Sequence, residues 1–181
     1  MAASDWEGAL FATCAALEAT AVKEVGRNGR RSYKEFVHDN LASITDIAFG
    51  ARVLNINLRF DHPQMKTSSD GVHSIEEILY VAVRCGLYHE AALPINLRSA
   101  DKCEISCVNE ELVLPASLIN RLITAVIAPV NASESAPRSS VLNLGPVPIP
   151  VNKLWGRRAE LLWPMEVQKE AIGLYSNKLT E

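Results

Sequence analysis

Asp61 and His62 adjoin at the end of an alternating segment, with Arg59 two positions earlier on the same polar face as Asp61. An imidazole titrates near neutrality and a carboxylate can orient it, so this trio suits general acid–base work. The same residues also read as a solvated strand end closed by Pro63, which cannot donate to a ladder. His38 and Asp39 are adjacent too, but neighbours on a helix point to different faces and do not pair.

A cysteine nucleophile would need Cys85 or Cys103 beside His62, His73 or His89. Its thiolate would also need a cation or a helix N-terminus to stabilise it. Cys85 falls on an inward stripe close to a helix C-terminus, where the dipole disfavours negative charge. Cys103 and Cys107 share the apolar face of a strand with Ile105. Four residues of strand separate these two by roughly 13 Å at about 3.3 Å per residue, too far for a bridge. With Cys14, all four are read as reduced core thiols.

No metal or cofactor is expected. The chain has no CxxC, HExxH or EF-hand loop, and its histidines at 38, 62, 73 and 89 lack ligand spacing. Gly26-Arg27-Asn28-Gly29 lacks the lysine of a phosphate loop and follows no strand.

Charge is concentrated in Lys23, Arg27, Arg30, Arg31 and Lys34, five cations within twelve residues. Such a turn can contact phosphates of RNA or DNA, with Tyr33 available to stack on a base. The competing explanation is that the cations cap the preceding helix and solvate its loop.

The elements that must position these residues follow from periodicity. Ser4 and Glu7 form a capping box before Trp6, Leu10, Cys14, Leu17, Ala21 and Val25, which mark one helical stripe. Ser32 and Glu35 repeat the box before a second helix, and Ser74 and Glu77 before a third. Helices are expected over about 7–25, 33–49, 75–86 and 116–128, with inward Ile75, Ile78, Leu79, Ala82 and Cys85 on the third. Leu54, Ile56, Leu58 and Phe60 alternate with polar residues, predicting a strand over 53–60 with those four in the core. Shorter strands are expected at 95–98, 103–108 and 111–114, the last two as a hairpin.

Residues 129–140 have linker composition. Beyond them Pro146, Pro148 and Pro150 enforce an extended path, and Pro164 suits the start of a terminal helix. Leu142, Leu144, Val147, Ile149, Trp155, Leu161, Leu162 and Trp163 make this arm too apolar to hang free in water. It is expected to dock on a second subunit or protein partner, the alternative being closure over its own helices.

The 181 residues carry net charge −3, with 48% hydrophobic and 22% charged residues. These values exclude a disordered chain and a disulfide scaffold, and they give no global basic field. No apolar run reaches spanning length, and the start lacks a secretory pattern, so an intracellular, soluble, cytoplasmic protein is expected.

The expected fold is α+β and helix-rich, with four to five helices, a small, mainly antiparallel sheet and the proline-containing arm. Residues 1–128 would form the core, 129–140 a linker and 141–181 the arm. The expected function is a non-enzymatic subunit of a coat, filament or ribonucleoprotein assembly, with nucleic acid touching residues 23–34. The alternative is a small hydrolase or transferase using Asp61, His62 and a cysteine. Purified protein is expected to hold no stoichiometric zinc or iron. Elemental analysis finding one metal per chain would overturn the reading of its cysteines and histidines.

Overall fold

The computed structural model describes residues 6–49, 53–62, 65, 70–86, 95–98, 105–108, 111–115, 117–128, 140–143 and 148–157. The fold is helix-rich α+β. Helices α1 (Trp6–Val25), α2 (Arg30–Phe49) and α4 (Ser117–Ile127) pack against one another, and α3 (Ile75–Ile78) opens a fourth helical segment against α2. The core is built from Leu10, Cys14 and Leu17 on α1, Phe36, Val37 and Leu41 on α2, and Leu118 and Leu122 on α4. These are the helical stripes expected from the sequence.

Threonine and asparagine side chains inside these helices are satisfied locally. Thr13, Thr20 and Thr124 hydroxyls donate to the carbonyls four residues back, at 2.7, 2.8 and 3.0 Å. The Asn40 side chain does the same to Phe36 at 2.7 Å. Thr45 donates to the Leu41 carbonyl at 2.9 Å and accepts from the Val53 N–H at 2.9 Å, which ties the end of α2 to the chain that follows.

The α1–α2 turn corrects one expected boundary. Gly26 and Gly29 both have positive φ, 75° and 99°, a conformation costly for other residues. The Gly29 carbonyl accepts from the Tyr33 N–H at 3.2 Å, so α2 begins at Arg30. Ser32 is buried inside the helix rather than capping it. Arg30 and Arg31 are therefore helix residues, not loop residues.

Strands β1 (Asn57–Arg59) and β2 (Val72–Ser74) pair antiparallel, Leu58 opposite His73. The Ile75 N–H donates to the Ile56 carbonyl at 2.9 Å, and the Phe60 N–H to the Gly71 carbonyl at 3.1 Å. The strand is shorter than the expected 53–60 because β2 turns into α3 at Ser74, leaving nothing to pair with residues 53–55. Phe60 is buried and Ile56 and Leu58 are half-buried, but Leu54 is 69% exposed and not in the core.

Strands β3 (Ile95–Arg98) and β4 (Ser106–Val108) flank β5 (Glu111–Pro115), β3 parallel to it and β4 antiparallel as the expected hairpin. After α3 the chain continues as a wider π-helical run, Leu79–Cys85. Val81, Ala82 and Val83 are consecutively buried there, which leaves Cys85 half-buried rather than on an inward stripe. Gly86 stays helical at φ −58°.

Residues 140–143 and 148–157 close on the chain's own α4. Strands β6 (Val141–Asn143) and β7 (Pro148–Pro150) form a two-stranded antiparallel ribbon, and a short 3-10 turn (Val151–Lys153) follows. Leu142, Val151 and Leu154 bury themselves with Ile127, and Trp155 and Ile149 pack beside them. The Gly156 N–H donates to the Ile127 carbonyl at 3.1 Å, capping the end of α4. Leu142 is thus covered by its own chain and is not offered to a neighbour. Leu144, Val147, Leu161, Leu162, Trp163 and the expected terminal helix lie outside the described residues, as do Ser4 and most of 129–140.

Leu122, wholly buried where α4 meets α1 and α2, is the most demanding core position tested by truncation. Leu122→Ala is expected to cost about 2–5 kcal/mol in urea unfolding, against roughly 0.5 kcal/mol or less for Leu54→Ala.

Candidate functional site

The first turns of α2 place Arg30, Lys34 and His38 at i, i+4 and i+8, which is one helical face. Opposite them stand Glu76 and Glu77 in the first turn of α3. The Ser74 hydroxyl accepts from the Glu77 N–H at 3.4 Å, so the expected cap forms. The Glu77 carboxylate does not reach back as in a capping box, because it crosses to α2. It pairs with Arg30, whose Nε donates at 3.3 Å, and with Lys34 Nζ at 2.7 Å. Glu76 Oε1 lies 2.9 Å from His38 Nδ1. Arg27 pairs with Glu35 across the turn.

These residues border an open groove of about 640 Å³. Arg30, Arg31, Lys34, Glu35 and His38 form one wall, and Asn55, Ser74 and Glu76 the other. Arg31 makes no ion pair among the described residues, and it and Asn55 are exposed. Lys34 is held below the usual lysine range, first by burial and then by the Arg30 charge beside it. Burial alone would raise the Glu76 carboxyl, but hydrogen bonds from Ser74, the backbone and His38 outweigh it and hold the carboxyl below its usual value.

The nucleic-acid candidates divide accordingly. Arg30, Arg31 and Lys34 are brought together on the groove, and Lys23 and Arg27 lie before it, around the end of α1. Tyr33 is corrected: it is 1% exposed, with its hydroxyl facing Cys14, and cannot stack on a base. Its ring instead meets Tyr80 edge-on at 5.3 Å, and Arg84 lies 5.4 Å over Tyr80 while gripping Glu18 through two nitrogens. His38 and Glu76 were missed as groove residues, since nothing local links positions 38 apart.

Asp61 and His62 diverge. Asp61 is exposed, whereas His62 is buried and stacked on Phe60, with ring centroids 5.8 Å apart. Both border a smaller cavity of about 230 Å³ with Arg59, Met65, Gly71 and His73, and among the described residues no cysteine or hydroxyl nucleophile lines it. Burial pushes the Cys14 thiol up to about 12, with the Tyr33 hydroxyl offsetting only part of this, so it stays protonated. Cys85 and Cys107 are half-buried, and Cys103 lies outside the described residues. Among the described residues no three His, Cys, Asp or Glu side chains converge on a metal position. No helix among them is long and apolar enough to cross a membrane.

Fold and groove together define a helix-rich α+β protein with a cation-walled groove. The model of the family described as Rv1289 matches residues 1–174, and the chain belongs to that family. No curated protein and no solved structure matches the chain.

The depressed Glu76 carboxyl has a consequence for stability. Its ionised form is favoured in the folded state, so the stabilisation is complete above the ordinary carboxylate value of 4.5 and is lost as pH falls through the lower folded value. Glu76→Gln is therefore expected to lose less stability than wild type on acidification from about pH 5 to pH 3, followed by urea unfolding.

Proposed function

We propose that the chain is a non-enzymatic interaction subunit of a larger assembly, and that the groove on α2 receives the phosphates of a nucleic acid. The observation that carries this reading is the gathering of Arg30, Arg31 and Lys34 on one wall of a 640 Å³ groove. Guanidinium and ammonium groups so placed supply charge-assisted donors to phosphate oxygens. Net charge −3 makes a single copy a weak binder, and repeated copies in an assembly would multiply weak contacts. Apolar residues of 141–175 would supply the self-association, through those not already covered by α4.

The hydrolase or transferase reading has less to draw on. Its imidazole is stacked against Phe60, and among the described residues no cysteine lines its cavity.

Replacing Arg27, Arg30 and Arg31 with alanine tests the reading, because Lys34 remains to hold Glu77. Stability is expected to change by about 1 kcal/mol or less, since the Arg27–Glu35 pair is half exposed and Lys34 still neutralises the buried Glu77 once Arg30 is gone. Binding to single-stranded nucleic acid should weaken, and its log–log salt dependence should flatten by up to about 2. An unchanged salt slope, or no binding by wild type at low salt in monomeric and associated forms alike, would overturn the proposal.

A further inference from the structure

The two walls of the groove differ in chemistry. On the α2 wall Arg30, Arg31 and Lys34 are cationic and suit phosphate, and the one carboxylate among them, Glu35, is paired with Arg27. Asn55, Ser74 and Glu76, facing them, offer an amide, a hydroxyl and a carboxylate. A carboxylate repels phosphate but accepts readily from a sugar hydroxyl. We infer that the groove takes a ribonucleotide strand, with phosphates along α2 and ribose 2′-hydroxyls toward Asn55 and Glu76, and so prefers RNA to DNA. This rests on the nucleic-acid reading above and adds the class of strand to it.

Several features favour that orientation. Glu76 is fixed by Ser74 and His38, and its carboxylate, with one oxygen on His38, has further lone pairs to offer. It is rigidly placed on the first turn of α3, so little order is lost on binding. Asn55 is exposed and can both donate and accept, which matches a hydroxyl that does both. A volume of 640 Å³ falls within the roughly 300–1,000 Å³ of small-ligand sites, enough for a nucleotide unit. DNA has only a carbon-bound hydrogen at that position and would forgo the hydrogen bonds that a 2′-hydroxyl can make with the amide and the carboxylate.

The test compares single-stranded RNA and DNA oligonucleotides of one sequence, composed of A and C only, binding to the full chain at low salt. Wild type is expected to favour RNA about tenfold, the worth of one or two hydrogen bonds. Asn55→Ala should bring RNA close to the DNA value while leaving the salt slope unchanged, and its exposed position keeps the fold intact. Arg31→Ala should weaken both strands equally and flatten both slopes. Equal wild-type affinity for the two, with a normal salt slope, would overturn the RNA inference and leave the nucleic-acid reading standing. No binding of either strand would overturn both.

Discussion

Two carboxylates from a single helical turn, Glu76 and Glu77, meet the cations at the front of α2, and the groove exists because of that encounter. Cations in the first turn of a helix sit at the positive end of its dipole and are disfavoured there. Carboxylates buried without a partner would cost several kcal/mol each. Each half of the arrangement supplies what the other lacks. Pairing also fixes α3 against α2, and with α3 comes the β1–β2 ribbon that forms the far wall. Removing either side would leave the ribbon attached to the helices mainly through Phe60, Ile75 and neighbouring apolar contacts.

Beneath this surface the three-helix core tolerates many polar atoms, because threonine and asparagine return their hydrogen bonds to the preceding helical turn. A chain of contacts running Cys14, Tyr33, Tyr80, Arg84 and Glu18 then links the core to its edge. Burial keeps Cys14 a thiol and Tyr33 a phenol. The Glu18 carboxylate holds Arg84 above the usual arginine range, despite the opposing effect of partial burial. The cluster behaves as structure: Cys14, Tyr33 and Tyr80 stay protonated and Arg84 stays charged.

The electrostatics of the groove are local. Arg27, Arg30, Arg31 and Lys34 exceed Glu35, Glu76 and Glu77 by a single positive charge on a chain of net charge −3. Long-range steering of a polyanion is therefore weak, and recognition would depend on short-range donors and acceptors. That is why the composition of the far wall matters as much as the count of cations.

Helix positions were legible in the sequence from periodicity at α1 and α4 and from the cap at Ser74, because a helix is specified by residues within a few positions of each other. The alternation of 54–60 showed a strand but not its length, which was set by where β2 gives way to α3. Five nearby cations announced a charged feature. Yet a glycine carbonyl moved the start of α2 and placed Arg30 and Arg31 on a helix, and a carboxylate 47 positions from Arg30 decided what they face. The apolar character of 140–157 was plain from composition, but composition could not say that Leu142 meets the chain's own Ile127. By itself the sequence determined fold class, helix stripes and the location of charge, since these depend on local spacing. Only the tertiary structure decided the burial of Tyr33, the partners of Glu76 and Glu77, and the groove between them. Those follow from contacts between residues far apart in the chain, and no local pattern encodes them.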